Sequence, residues 1–268
     1  MHMAKTQDVQ LPDSEVDRQI RRMTRRSFTV GGLAAGAGLL GWLGLRAASL
    51  EDGIAWPLRR VLEFNEKLAG AAFGESRRAP EFSTDRATEP RVNGSIGLEE
   101  VFNPQTWRLQ VFGPGSAPKR FTLDDIKALP AVSLTTELKC IEGWSNVVHW
   151  TGARLVDLAA KSGLGSRSGR AFDAEKKPAD LFRYVRLETP AGAYYVGLDI
   201  ASALHPQTLL CYAMNGEPLT LGHGAPLRLV IPVKYGIKNI KRIGTIRFTN
   251  ERPGDYWAER GYDWYAGH

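Results

Sequence analysis

Lys139-Cys140-Ile141-Glu142-Gly143-Trp144-Ser145 sets a thiol, a carboxylate, an indole and a hydroxyl side by side, with His149 close behind. A cysteine in a dry core behaves as a small hydrophobe. Polar and aromatic neighbours are a poor way to build such a core, so this thiol is expected at a cleft. A thiolate there can be a nucleophile or a ligand for a soft metal. A second cluster, Leu221 to Lys241, places His223, Arg228, Lys234, Lys238 and Lys241 among glycines. Exposed amides with Lys and Arg make a cradle for a phosphate. The stretch lacks Gly-x-x-x-x-Gly-Lys-Ser/Thr and is not a P-loop.

The elements around these residues follow from pattern. Ala131–Leu138 is rich in β-branched residues and reads as a strand, so Cys140 sits where a strand runs out. Apolar spacing predicts a helix over 151–161, stopped by Gly163. Thr106–Phe112 alternates as a half-buried strand, and Thr122 with Asp125 forms a capping box for a short helix. Tyr184–Glu188 and Ala193–Gly197 flank Thr189-Pro190-Ala191-Gly192 as a hairpin. Residues 199–204 read as a helical turn or two. Thr208–Met214 is apolar on both faces, a buried strand that puts Cys211 in the core, with a turn at Asn215-Gly216. Upstream, 55–68 reads as an amphipathic helix packed on the body through Leu58, Val61, Leu62, Phe64 and Leu68. Residues 74–91 read as an extended surface segment. The aromatic tail from Gly254 is expected to pack as a lid. The resulting division is 1–50, a signal or anchor; 51–92, a helical and extended lead-in; 93–250, the domain that carries both clusters; and 251–268, the tail. Many short strands with short helices give an α+β class.

The chain's 268 residues suffice for one good-sized domain, and a net charge of +6, partly concentrated at the front, is too mild to argue for nucleic acid. Cys140 and Cys211 are the only cysteines, and no Cys-x-x-Cys-His attaches a haem. Arg25-Arg26-Ser27-Phe28 followed by a weakly hydrophobic run free of charge to Leu45 is the pattern of a twin-arginine export signal. The expected location is the periplasm, with retention at the inner membrane if the signal stays uncleaved.

Taken in order, Lys139–Ser145, His223-Gly-Ala-Pro-Leu-Arg228 and Pro232-Val-Lys-Tyr-Gly-Ile-Lys-Asn-Ile-Lys241 resemble the sulfite-oxidase superfamily of molybdopterin oxidoreductases. The resemblance spans roughly Asn93 to Thr249 and is closest to the exported bacterial branch that includes the methionine-sulfoxide reductase catalytic subunit. It implies a sulfite-oxidase-type fold, a molybdenum–molybdopterin cofactor, and Cys140 as the thiolate on the metal. Asn93, Thr189, His223, Arg228, Asn239, Ile240 and Lys241 match positions around the pterin and its phosphate. Cys140, Glu142 and Trp144 are then the candidate catalytic residues. Sulfite oxidases carry an arginine shortly after the cysteine; Glu142 and Trp144 stand there instead, so sulfite oxidation is disfavoured. The expected reaction is oxygen-atom transfer from an S-oxide or N-oxide. Val233 stands where the reductase branch often has an aromatic residue. Relatives of this type imply a membrane cytochrome b as electron donor, and the lack of an added dimerisation domain implies a monomer. Two readings stand beside this one: a cysteine hydrolase using Cys140 with His149 as base, and a non-catalytic binding module without metal.

Overall fold

The computed structural model describes residues 13–74, 76–99, 101–115 and 117–268. Side chains are described from Phe28 onward, so the twin arginines' side chains and the polar lead before Asp13 lie outside the described residues. The chain divides into an N-terminal unit, residues 1–51 with 55–57, and a body, residues 52–54 with 58–268. The first unit contains helix α1 (Asp13–Ala47), whose segment Phe28–Ala47 is 20 residues long and apolar enough to cross a membrane.

The body holds two five-stranded sheets. The first contains β3 (Ala131–Lys139), β4 (Ser145–Arg154) and β7 (Leu209–Met214) in antiparallel order, with β8 (Glu217–Pro218) and β9 (Arg228–Val230) sharing the outer edge of β7. The second runs β2 (Lys119–Phe121), β1 (Leu109–Phe112), β10 (Thr245–Thr249), β5 (Tyr184–Glu188) and β6 (Tyr195–Asp199). Only β1 with β10 is parallel within it. Leu109, Val111, Val185, Leu187, Leu198 and Ile246 from this sheet share one core with Leu155, Leu210, Leu227 and Leu229. Trp150, Leu209, Cys211 and Val230 form a second cluster.

The predicted strand at 131–138, the capped helix α3 (Leu123–Lys127) and the hairpin around Thr189 are all present. Thr122 accepts from the Asp125 amide while the Asp125 carboxylate accepts in return. The tail packs: Trp264 and Tyr265 are buried. Residues 74–91 do more than cross the surface. The Phe82 amide donates to the Thr135 carbonyl at 2.8 Å, and Gln207 binds the Ala79 backbone from both sides.

Two elements depart from the sequence reading. The helix after Cys140, α4, spans Leu155–Ser162 rather than starting at Thr151, because β4 continues through Arg154. Gly152 explains this: a Cβ there would lie 2.4 Å from the Leu210 carbonyl oxygen, so strand pairing at that point requires glycine. The ladder's register shifts between Thr151 and Gly152. The helix ends at Gly163 as expected, at φ +74°. The second departure concerns α2 (Trp56–Ala72), which does not pack through Leu58, Val61, Phe64 and Leu68. Those side chains face outward, because the ladder of contacts to the body is made instead by Arg59 and Glu66.

Gly152→Ala is therefore expected to lower the body's unfolding free energy by about 2 kcal/mol through overpacking against β7. A urea titration that leaves the midpoint unchanged would contradict this packing.

Candidate functional site

β3 and β4 pair from Ala131↔Ala153 to Lys139↔Ser145, leaving residues 140–144 as the connecting turn. The Cys140 amide donates to the Trp144 carbonyl at 2.9 Å, and the Gly143 amide to the Cys140 carbonyl at 3.1 Å. Gly143 takes φ +85°, a value that L side chains rarely adopt. The turn is thus closed by its own backbone and holds the thiol at a fixed exit from the sheet.

The thiol lines a cavity of about 400 Å³. Five segments make its walls. The end of β3 and the turn give Leu138, Cys140, Ile141, Glu142 and Trp144. The segment before β1 gives Arg91, Asn93, Gly94 and Ile96. The glycine-rich cationic stretch gives Arg228, Gly236, Ile237 and Lys241. The hairpin gives Tyr194, and the tail gives Trp257 and Tyr262. Around the mouth, the Glu142 carboxylate accepts from the Trp144 indole at 2.9 Å and from the Asn93 amide at 3.4 Å. The Asn93 amide also lies 3.9 Å from Cys140 Sγ. The Arg91 guanidinium stacks over the Trp144 ring, 4.8 Å from its centroid.

Charge in this cavity is expensive and locally compensated. Burial, with the Glu142 carboxylate adding to it, pushes the Cys140 thiol above its ordinary value. Arg228 is fully enclosed; burial lowers it to about 10. Its terminal nitrogens donate to the carbonyls of His223 at 3.2 Å and Asn239 at 3.3 Å, and it lies over the Trp150 ring. Its Nε is buried without a hydrogen-bond partner. Lys241 donates to the carbonyls of Asn93, Gly94 and Gly222 at 2.6, 3.0 and 2.9 Å, tying the Asn93 turn to the His223 loop. Burial and the nearby Arg228 charge lower it to about 8. Tyr194 is driven well above the ordinary phenol range by burial, so it stays protonated, donating to the Ile237 carbonyl at 2.6 Å.

Of the residues singled out from sequence, Cys140, Glu142, Trp144, Asn93, Arg228 and Lys241 meet at this one cavity. The other four stand behind its walls. Thr189 is buried under Gly97 and accepts from the Tyr194 amide at 3.1 Å. His223 faces the Pro90 carbonyl through Nε2 and Thr220 through Nδ1; a carbonyl can only accept, so Nε2 carries the proton. Asn239 accepts from the Ile231 amide and donates to the Tyr235 carbonyl. Ile240 is a core residue whose carbonyl accepts from Leu229. Sequence reasoning missed Tyr194, Ile237, Trp257 and Tyr262. The aromatic density of the tail was the only signal available for the last two.

The hydrolase reading gains no support. His149 bonds Thr135 at 2.8 Å, its register partner in β3, and no histidine lines the cavity among the described residues. Nor are the cysteines joined: Cys140 and Cys211 are both free, Cys211 being fully buried. Among the described residues, no group of three His, Cys, Asp or Glu side chains could hold a metal by itself. A metal at Cys140 must therefore bring its remaining ligands with it. A cofactor with its own sulfur donors and an anionic tail fits these walls: one soft thiolate, an enclosed guanidinium with an unused Nε–H, and a lysine beside it.

The family model described as "Oxidoreductase molybdopterin binding domain" matches residues 96–257, and the chain belongs to that family. It is a molybdenum-dependent oxidoreductase, built to carry molybdenum–molybdopterin. The chain is 33% identical over 250 residues to an Azospira oryzae chain provisionally named protein-methionine-sulfoxide reductase subunit YedZ1, covering 92% of this chain and 87% of that one. It is 32% identical to the protein-methionine-sulfoxide reductase catalytic subunit MsrP of Ralstonia nicotianae, over 96% of this chain and 78% of the relative. A solved structure, the sulfane dehydrogenase SoxCD of Paracoccus pantotrophus, aligns at 19% identity with a TM-score of 0.46, over 57% of this chain and 40% of that one.

In metal-free protein, Cys140 should alkylate with a pH midpoint above that of an ordinary exposed thiol, and Glu142→Gln should lower that midpoint. Cys211, buried and raised to about 11, should react only on unfolding. Iodoacetamide rates read by mass spectrometry check this; a Cys140 midpoint below the ordinary thiol range would contradict it.

Proposed function

We propose that this chain is the catalytic subunit of an exported S-oxide reductase, with protein methionine sulfoxide as the leading substrate class and N-oxides as the runner-up. The observation that carries the reading is one cavity joining the Cys140 thiol to Arg228 and Lys241. In this reading Cys140 is the protein's ligand to molybdenum. Arg228 and Lys241 hold the anionic end of the pterin, and Asn93 holds the turn beside the thiol. Thr189, His223, Asn239 and Ile240 act one step back, by fixing the backbone of the cradle. When bound, the molybdenum cofactor supplies the oxygen-atom and electron transfer.

The chain's own residues then select and orient the substrate. Trp144, Trp257, Tyr262 and Ile96 offer apolar and aromatic surface for a thioether-like chain. Glu142, held by Trp144 and Asn93, keeps a fixed negative charge at the mouth. Glu142 stands where a cation would help to hold an anion such as sulfite, while a neutral sulfoxide dipole needs no such cation beside the thiol. Tyr194 keeps its proton and spends it on the Ile237 carbonyl, which ties the hairpin to the cationic stretch at the cavity wall. The names of the two relatives support the substrate class.

The 20-residue apolar segment Phe28–Ala47, preceded by Arg25-Arg26, supports export by the twin-arginine route and work in the periplasm. Electrons would come from a membrane cytochrome b, and the subunit would act as a monomer.

Cys140→Ser is expected to cut methionine-sulfoxide reduction with a reduced-dye donor by more than ~10²-fold, at least the cost of losing a supporting residue at a metal site. Cys211→Ser should retain activity, since its thiol stays in the core. Molybdenum content, measured on the same samples, separates loss of chemistry from loss of loading. Equal turnover in wild type and Cys140→Ser would contradict the ligand role.

A further inference from the structure

Helix α2 meets the body with its polar side. At 3.6 residues per turn, Arg59, Leu62, Glu66 and Ala69 share one face, and Phe73 continues that line just beyond the helix. The Arg59 guanidinium is buried and donates to the carbonyls of Asp52, Ala258 and Tyr262 at 3.0, 2.7 and 3.1 Å. Glu66 accepts from Arg252 at 2.7 Å, and Ala69 and Phe73 pack on the cluster of Trp264 and Tyr265. The opposite face carries Leu58, Val61, Phe64 and Leu68, which are 46%, 55%, 59% and 56% exposed. A helix that encloses an arginine and a glutamate while baring four large apolar side chains in one stripe reverses the arrangement that water selects.

The surroundings of the stripe are cationic. Arg60 and Lys67 are exposed along its flank. Past the end of the helix, Arg77, Arg78 and Lys139 line a cleft of about 430 Å³ whose walls, among the described residues, carry no Asp or Glu side chain. The two carboxylates of the helix are each paired with arginine, Glu63 with Arg60 at 2.6 Å and Glu66 with Arg252 at 2.7 Å. In sequence, only residues 48–55 separate α2 from Phe28–Ala47, the segment long and apolar enough to cross a membrane.

We infer that the outer face of α2 lies in the surface of a phospholipid bilayer, with Leu58, Val61, Phe64 and Leu68 among the upper acyl chains and the flanking cations against anionic headgroups. An apolar stripe with a basic rim is the composition of a helix that lies in a membrane interface. The segment just upstream is long and apolar enough to hold the chain at a bilayer. The inference does not depend on the reaction assigned to the cavity, which α2 does not line.

The test uses the full chain reconstituted in vesicles of equal parts phosphatidylcholine and phosphatidylglycerol, with a photoactivatable diazirine on the acyl chain. After irradiation, adducts are mapped by mass spectrometry. The expected result is lipid adducts on the Leu58–Leu68 peptide at least ~5-fold above those on the peptide of helix α3, as an interfacial helix requires. Vesicles of phosphatidylcholine alone should give less labelling of the stripe. The double variant Phe64→Glu/Leu68→Glu should reduce the stripe's labelling to background without changing that of residues 28–47, its fold being checked by circular dichroism. Adducts confined to residues 28–47 would overturn the inference. So would a stripe that escapes lipid label yet cross-links to a protein in native membranes.

Discussion

The β3–β4 ladder is the constraint from which the site follows. Nine register pairs hold the two strands, and the last of them leaves only five residues to turn the chain. The Cys140 amide is spent on the Trp144 carbonyl, so the thiol cannot swing with a mobile loop. A hairpin turn that closes on its own backbone gives one fixed side-chain exit, and that is what a metal ligand needs. The same closure brings Glu142 and Trp144 within hydrogen-bond reach of each other. The ladder also places Trp150 on β4 under the Arg228 guanidinium, so the hairpin that presents the thiol also supports the cation across the cavity.

The cation side of the cavity is organised by the need to satisfy buried charge. An enclosed guanidinium is tolerable only where acceptors meet it. The carbonyls of His223 and Asn239 do this for Arg228, and those of Asn93, Gly94 and Gly222 do it for Lys241. Each cation therefore draws together loops that are far apart in sequence. The residues behind the wall serve the same arrangement: Asn239 fixes the backbone at Ile231 and Tyr235, and His223 anchors its loop to Pro90 and Thr220.

The sequence was most legible where one residue's chemistry decides the local outcome. Gly163 ends a helix, Thr122 with Asp125 starts one, and Asn215-Gly216 turns a chain at positive φ. The thiol loop and the cationic stretch could be paired because their order resembles a family; nothing in spacing alone brings residue 140 to residue 228. Helix α2 misled because periodicity reports that a helix has an apolar side, not which side meets the body. A single arginine with three carbonyl acceptors reversed it. The start of α4 misled because apolar spacing over 151–161 does not show that β7 leaves no room for a side chain at Gly152 and keeps that stretch in β4. Tyr194 and Ile237 were invisible because their place in the site depends on long-range packing of the hairpin against the cationic stretch.

The most direct measurement of the central claim is X-ray absorption at the molybdenum edge of the loaded wild-type chain and of Cys140→Ser, at matched metal content. The account predicts that the variant loses one sulfur neighbour from the metal's first coordination sphere while the sulfurs brought by the cofactor remain. An unchanged sulfur shell in the variant would contradict it.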